Sequence, residues 1–284
     1  MSTQALTSEG AQIPAGPPQG NLAPSGGSEP RVAGSMGAQI PAGPPQGNLA
    51  PSGGSEPRVA GSVGALIFDM DGTMVDSMGW HAKSWAVFMQ RHGIAMELDE
   101  VMRRTNGRNG AECMRELFER PLEDAEAWAL IAQKETIYRE LFAPHFTEVA
   151  GFGAFAAQAL AQGLKVGVGT AGDQDNIAFV LSHLQLATPP HAVVGGDEGL
   201  PGKPDPAIFL EAARRMDTAP QDCIVFEDAP FGIEAARRAG MRAVAICTSH
   251  TAQELDGAHV LTHVRDYHQL FDTRFLENLH VSTA

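Results

Sequence analysis

The sequence predicts an α/β fold in which a parallel sheet is covered by helices on both faces, with an all-helical domain inserted after the first strand. Short apolar runs alternate with helical patterns through the second half of the chain, as buried parallel strands joined by helices do. The long stretch between the first two apolar runs carries helical patterns and no convincing strand. That stretch is typical of an inserted domain.

The first predicted strand, residues 63–68, is an apolar run that ends at a polar turn. Similar runs predict strands at 165–170, 191–194, 223–227 and 242–246. Helices are predicted between them at 152–162, 176–186, 206–216 and 233–239, and two of these patterns end at a glycine. The inserted segment is predicted to hold helices at 77–92, 110–120 and 122–142, and it includes three tryptophans that we expect to pack in its core.

Residues 1–62 differ from the rest of the chain because they hold 10 of its 19 prolines and 12 of its 31 glycines but no aromatic residue. Such a segment cannot bury enough apolar surface to offset ordering, so we predict a disordered tail. Residues 10–35 recur unchanged as residues 37–62, which indicates a duplicated 27-residue unit; a Pro-rich docking segment is the alternative. We assign residues 63–76 and 146–284 to the domain that contains the sheet, the core domain. We assign residues 77–145 to the inserted helical domain, which we expect to cover the core as a cap.

The formal net charge of -14 argues against a nucleic-acid partner, because no basic stripe is present to neutralise phosphates. The three cysteines are widely spaced and form no CxxC pair, which is unlike a disulfide framework or a zinc site. We find neither a signal peptide nor an apolar run of about 18 residues. We therefore expect a cytoplasmic protein without a membrane partner, and a monomer whose cap moves freely.

Four acidic residues are predicted to converge at strand ends: Asp69 and Asp71 follow the first strand, and Glu227 and Asp228 end a later one. Two carboxylates ~4 Å apart repel each other by roughly 4 kcal/mol at an effective dielectric constant near 20. Such a cluster normally needs a hard cation, and Mg²⁺ suits carboxylates, water and a substrate phosphate. The alternative at this point is that these acids only cap helices.

Two further strand ends add a hydroxyl, Thr170, and a cation, Lys203, which are the groups that a phosphoryl group requires. With Asp69-x-Asp71-Gly72-Thr73, Lys203-Pro204 and Glu227-Asp228 followed by Gly232, the set resembles the four signature motifs of the haloacid dehalogenase superfamily. The helical insertion looks like the cap of its β-phosphoglucomutase-like branch. The resemblance spans roughly residues 64–248, and it implies a Rossmann-like parallel sheet with an inserted helical cap.

The resemblance also implies a role for each motif. Asp69 would attack phosphorus to form an aspartyl-phosphate, and Asp71 would protonate the leaving oxygen and then activate water. Thr170 and the backbone amide of Ala171 would hold a phosphoryl oxygen, and Lys203 would screen the nucleophile. The family places Mg²⁺ on positions that correspond here to Asp69, the Asp71 carbonyl and Asp228, with Glu227 close by.

The mutases of this branch carry a Lys-Gly-x-x-Arg pattern where this chain has Asn106-Gly107-Arg108-Asn109-Gly110. A mutase must hold a second phosphate, so the loss of both cations favours hydrolysis of a small phosphorylated metabolite. Asp71 argues against dehalogenation, because the superfamily's dehalogenases lack that acid. Sugar-phosphate mutase, inorganic pyrophosphatase and a catalytically silent binding module remain as alternatives. The predicted substrate-binding residues are His81, Gly107, Arg108, Lys134 and Ala171.

Overall fold

The computed structural model describes residues 62–105, 108, 110–118 and 120–279. The predicted tail therefore lies outside the described residues except for Ser62, and so do Asn106, Gly107 and Asn109. In the described part of the chain, no helix combines the length and the apolar character needed to cross a membrane.

The sheet has six parallel strands in the order β3-β2-β1-β4-β5-β6. This confirms the predicted α/β fold and five of the strands; the sixth, β6, was not predicted. Every residue of β1 and β4 is buried, because both strands lie at the centre of the sheet. The strands are β1 (Ala65–Phe68), β2 (Lys165–Gly169), β3 (Ala192–Val194), β4 (Cys223–Glu227), β5 (Arg242–Ile246) and β6 (Val260–Val264).

Helices cover both faces of the sheet, and alternate strand residues pack against opposite layers. Phe68 and Phe226 pack with α5, α6 and α9, whereas Ile67 and Val225 pack with α7 and α8. Of these helices, α9 was not predicted. Their bounds are α5 (Phe152–Ala161), α6 (Gln174–Leu184), α7 (Ala207–Arg215), α8 (Pro230–Arg238) and α9 (Tyr267–Asp272).

Of the described helices between β1 and β2, the first four pack around an apolar centre of their own that includes Phe88, Val101, Met114 and Ile131. We call this group the cap. The second of the four was not predicted, because its eight residues are mostly charged and polar. The cap helices are α1 (Met78–His92), α2 (Leu98–Thr105), α3 (Gly110–Leu117) and α4 (Asp124–Phe142).

The strand order determines where the polar motifs meet. β1 pairs with β2 on one side and with β4 on the other, and all three run in the same direction. Their carboxyl ends therefore share one edge of the sheet, which is where α/β proteins bind ligands. The cap begins directly after the turn that follows β1, so it extends from this same edge.

Candidate active site

The turn after β1 carries the two aspartates of the first motif. The Asp69 backbone N–H donates to the Phe226 carbonyl at 3.0 Å, which continues the pairing of β1 with β4. The chain then turns back, and the Met74 N–H donates to the Met70 carbonyl at 2.8 Å. Gly72 has a positive φ of 75°, and a Cβ atom there would lie 2.2 Å from Asp228 Oδ2. The turn requires glycine for both reasons.

Lys203 connects the carboxylates of two strand ends. Its Nζ donates to Asp69 Oδ1 at 2.6 Å and to Glu227 Oε1 at 2.8 Å, and all three side chains are buried. Burial raises the pKa of Asp69 to about 7. Attraction to Lys203 partly opposes this shift, and repulsion from Glu227 adds to it. The Glu227 side chain requires glycine at position 232, because a Cβ atom there would lie 1.7 Å from Glu227 Oε1.

Asp228 completes the acidic group on the β4 side. It is only 2% exposed, and burial followed by repulsion from Glu227 and Asp69 raises its pKa well above the ordinary value. Ser249 donates its hydroxyl to Asp228 Oδ2 and holds the carboxylate in place. The neighbouring Thr248 donates to the Gly72 carbonyl at 2.6 Å. The segment after β5 therefore braces both acidic turns, a role that no sequence motif indicated.

This donor set suits a hard divalent cation. Three buried carboxylates, those of Asp69, Glu227 and Asp228, stand near a single ammonium group, so the site has excess negative charge. Among the described residues, no three His, Cys, Asp or Glu side chains form a complete metal cage. Mg²⁺ does not need one, because it is usually held by one or two carboxylates together with water and substrate oxygens. The buried carboxylates of Asp69 and Asp228 are compatible with such a partial set.

The Asp71 carboxylate points away from this group, toward the cap. Its Oδ1 accepts hydrogen bonds from the Ser77 hydroxyl at 2.7 Å and the Tyr138 hydroxyl at 3.1 Å, and it lies 3.0 Å from His81 Nε2. Burial alone would raise the pKa of Asp71, but attraction to His81 and the hydrogen bond from Ser77 outweigh it and lower the pKa to about 2. Asp71 is therefore a carboxylate in this arrangement, the form that accepts a proton.

His81 is held between Asp71 and Lys134. Lys134 Nζ lies 2.6 Å from His81 Nδ1, and an ammonium group can only donate. The other ring nitrogen, Nε2, faces Asp71. Nε2 lies within ion-pair distance of Asp71 Oδ1, but the two atoms do not form a well-formed hydrogen bond. The ring also stacks on Tyr138, with centroids 3.8 Å apart.

Thr170 and Ala171 follow β2, the strand that pairs with β1 on the side opposite β4. The Thr170 N–H donates to the Val194 carbonyl at 3.0 Å, and its Oγ1 accepts from the Gly172 N–H at 3.0 Å. This turn packs closely on the next strand end, because a Cβ atom at Gly196 would lie 2.2 Å from the Ala171 carbonyl oxygen. Thr170 is 1% exposed, yet it lines the cavity described next.

A cavity that is open to solvent at its mouth lies between the core and the cap. Its floor contains Asp69, Asp71, Thr170 and Asp228. The wall formed by the cap is largely apolar and includes Trp85, Met102, Trp128 and Ile131. The prediction that all three tryptophans pack in the cap core is wrong for two of them. Trp128 is 38% exposed and faces the cavity, and Trp80 packs against the apolar cluster of the core domain.

The predicted substrate-binding residues lie in different environments. His81, Lys134 and Ala171 line the cavity next to the acidic floor, whereas Gly107 lies outside the described residues. Arg108 also lines the cavity, and its guanidinium lies over the Phe231 ring at 5.3 Å. Its Nε is buried without a hydrogen-bond partner. Arg108 is therefore available to a polar group of a ligand.

Several residues at the site were missed by sequence reasoning. Tyr138 contacts Asp71, and the only available signal was its spacing of one helical turn from Lys134. Glu135 and Asn176 contact each other from opposite sides of the cavity, and Asp173 and Asp197 add carboxylates to its core wall. Contacts between residues so far apart in sequence follow from tertiary packing, which a single sequence does not specify.

Comparison with known proteins gives three curated relatives of similar identity. Validoxylamine A 7'-phosphate phosphatase of Streptomyces hygroscopicus subsp. limoneus is 32% identical over 201 residues, covering 69% of this chain and 91% of the relative. Fructose-1-phosphate phosphatase YqaB of Escherichia coli (strain K12) is 34% identical over 180 residues, covering 63% and 94%. Beta-phosphoglucomutase of Bacillus subtilis (strain 168) is 31% identical over 188 residues, covering 64% and 82%.

Solved structures share the fold. A hydrolase from Pseudomonas syringae aligns with a TM-score of 0.65 at 25% identity, covering 74% of this chain and 97% of that one. A β-phosphoglucomutase from Clostridium difficile aligns with a TM-score of 0.65 at 23% identity, covering 76% and 97%. The model of the haloacid dehalogenase-like hydrolase family matches residues 66–246, the segment from β1 to β5 that carries all four motifs. The chain therefore belongs to the haloacid dehalogenase-like hydrolase family.

Proposed function

We propose that the protein is a phosphatase that hydrolyses a small phosphorylated metabolite through an aspartyl-phosphate intermediate on Asp69. One arrangement carries this proposal: Asp69 lies on the cavity floor with Oδ1 held by Lys203, and Asp71, two residues later, faces the same cavity. The fixed Oδ1 leaves Oδ2 for attack on phosphorus. Relatives named as phosphatases support the same reaction class.

In the first step, Asp69 Oδ2 forms a bond to phosphorus as the bond from phosphorus to the leaving oxygen breaks. Asp71, as a carboxylic acid, gives its proton to that oxygen; the charge of a bound phosphate raises the pKa of Asp71 and allows it to carry the proton. Asp71, now a carboxylate, then takes a proton from water. The water oxygen bonds to phosphorus, the Asp69–phosphorus bond breaks, and inorganic phosphate leaves.

The remaining residues of the floor bind and orient the phosphoryl group. The Thr170 hydroxyl and the Ala171 N–H donate to its oxygens, and Lys203 offsets the repulsion between the nucleophile and the phosphate. We infer that Asp69, the Asp71 carbonyl and Asp228 hold Mg²⁺, with Glu227 close by. When bound, the ion supplies positive charge that stabilises the phosphoryl oxygens.

The excess of carboxylates on the floor predicts that hydrolysis depends on the metal. Purified protein is expected to release p-nitrophenol from p-nitrophenyl phosphate with Mg²⁺, and at least tenfold more slowly after treatment with EDTA and desalting. Adding Mg²⁺ back should restore the rate. Ca²⁺ should restore little of it, because it prefers longer bonds and a larger, more flexible coordination shell. Absence of hydrolysis under every condition would contradict the enzymatic proposal.

The shape and charge of the cavity favour hydrolase over mutase. A mutase must bind a second phosphate. Among the basic side chains of the described cavity wall, His81 and Lys134 contact each other and acidic residues. Arg108 is therefore the basic side chain of that wall that remains for a second phosphate. Asp173 and Asp197 on the core wall oppose a second anion. Position 110 has no room for an arginine, because even a Cβ atom there would lie 2.4 Å from Ile131 Cγ1.

The product formed from β-glucose 1-phosphate distinguishes the two activities. With Mg²⁺ and a trace of glucose 1,6-bisphosphate, we expect free inorganic phosphate and no accumulation of glucose 6-phosphate. Both products can be measured in one reaction, by a phosphate dye and by a coupled dehydrogenase. Accumulation of glucose 6-phosphate would contradict the proposal and favour the mutase, the activity named for one relative.

A further inference from the structure

Three side chains, two from α4 of the cap and one from α6 of the core, connect the two parts of the protein. Glu135 and Arg139 lie one turn apart on α4, and both contact the Asn176 amide at the start of α6. Asn176 Nδ2 donates to Glu135 Oε2 at 2.8 Å, and Arg139 Nη1 donates to Asn176 Oδ1 at 2.8 Å. We call these three residues the clamp.

The chemistry of the three groups fixes the orientation of the amide. An ionised glutamate only accepts and an arginine only donates, so the Asn176 oxygen must face Arg139 and its nitrogen must face Glu135. Asn176 is 1% exposed, and neither of its polar ends reaches bulk water. A buried amide that loses one partner is destabilised by its unmet hydrogen bond. The clamp therefore favours one relative position of α4 and α6.

The same glutamate also holds the cation behind His81. Glu135 Oε1 accepts from Lys134 Nζ at 3.0 Å, and Lys134 Nζ lies 2.6 Å from His81 Nδ1. The Lys134 ammonium is further enclosed by the Trp85 ring at 5.0 Å. Burial alone would raise the pKa of Glu135, but attraction to Lys134 and His81 and the hydrogen bond from Asn176 lower it. Glu135 is thus a carboxylate that contacts the core with one oxygen and Lys134 with the other.

We propose that the clamp positions Asp71 for proton transfer: contact between Glu135 and Asn176 on the core fixes Lys134, which fixes His81 against Asp71. Glu135, Asn176 and Arg139 are positioning residues in this arrangement. Because α6 directly follows the turn that carries Thr170, placement of the proton donor depends on the element that binds the phosphoryl group. This inference rests on the proposed phosphatase function.

Two substrates of similar shape test the clamp. Phenyl phosphate has a basic leaving oxygen that needs a proton, whereas p-nitrophenyl phosphate releases a stable anion that does not. A well-placed general acid contributes roughly 10²–10⁴-fold when its proton is needed. In Glu135→Gln, we expect the ratio of kcat/KM for phenyl phosphate to kcat/KM for p-nitrophenyl phosphate to fall about tenfold. Glutamine has one acceptor oxygen where Glu135 has two, so it cannot present one oxygen to Asn176 Nδ2 and another to Lys134 Nζ.

Arg139→Ala provides a second variant that cannot act through substrate contact, because Arg139 does not line the cavity. The ratio should fall in this variant as well, and the double variant should lose less than the product of the two single effects, as expected for residues in one network. The matched control is Glu140→Gln, which changes an exposed glutamate of the same helix and should leave the ratio unchanged.

The outcomes separate this inference from the proposed function. A wild-type protein that hydrolyses neither phosphate ester would overturn the phosphatase proposal and the clamp with it. If the wild type hydrolyses both esters while the clamp variants, folded by circular dichroism, keep the wild-type ratio, the clamp has no role in proton transfer. Equal losses on both substrates would also contradict that role, since they report only a structural effect.

Discussion

The substitution Asp69→Asn is expected to lower phosphate release from p-nitrophenyl phosphate at least about a thousandfold, which corresponds to ~4 kcal/mol of activation free energy. Asn has nearly the same shape as Asp, but its amide is a poor nucleophile toward phosphorus. Glu227, which shares Lys203 with Asp69, is not expected to replace it, because its Oε1 is bound to Lys203 and its Oε2 accepts from the Ala229 N–H at 2.7 Å.

The same substitution should leave the fold intact. Lys203 keeps its hydrogen bond to Glu227 at 2.8 Å, and the removal of one buried charge reduces repulsion within the acidic group. Thermal unfolding followed by circular dichroism should therefore show a melting temperature at or above that of the wild type. Asp272→Asn, at an exposed aspartate of α9, is the matched control and should retain full activity. Turnover by Asp69→Asn above one per cent of wild type would contradict a covalent role for Asp69.

Much of the acidic floor could be predicted from the sequence, for a physical reason. Parallel strands bring their carboxyl ends to one edge, so polar residues that follow apolar runs converge even when they are far apart in the chain. Asp69 follows one such run and Glu227 ends another, and in the structure both carboxylates contact Lys203. The apolar run identifies the strand, and the strand direction identifies the edge.

The cap side of the site was less predictable. Trp128 lies on a helix with apolar neighbours, and helical periodicity alone does not show which face a neighbouring domain leaves open. The contact of Glu135 with Asn176 joins positions 41 residues apart in two domains, and no local pattern encodes it. β6 was not predicted because its apolar run is short. The strand lies at the edge of the sheet, and most of its residues are only partly buried.

Ser249 shows a related limit of sequence patterns. It stabilises Asp228 through a hydroxyl donated from the loop after β5, but serines in loops are common and this one follows no recognisable spacing. Its effect becomes visible only when β5 is placed beside β4. Motifs therefore located the groups proposed to react, whereas the residues that hold them in place required the fold.

The substitution Asp71→Asn is expected to separate the two chemical steps. The asparagine oxygen can still accept from Ser77 and Tyr138, so the turn after β1 should keep its geometry. The side chain can no longer give or take a proton. Turnover of alkyl phosphates should fall by roughly 10²–10⁴-fold, because their leaving oxygen is strongly basic.

With p-nitrophenyl phosphate, the first step needs little help from a proton donor, so Asp69 should still be phosphorylated in the Asp71→Asn variant. Hydrolysis of the intermediate should then be slow, because the water that attacks it has lost its base. Rapid mixing should show a burst of about one p-nitrophenol per protein followed by a slow phase, and mass spectrometry of the acid-quenched protein should show an added phosphoryl group on the peptide that contains Asp69. Steady turnover at the wild-type rate without a burst would contradict the role of Asp71 as the base. A burst in this variant, absent from Asp69→Asn, would assign nucleophile and base to the two aspartates separately, since each substitution then blocks a different step.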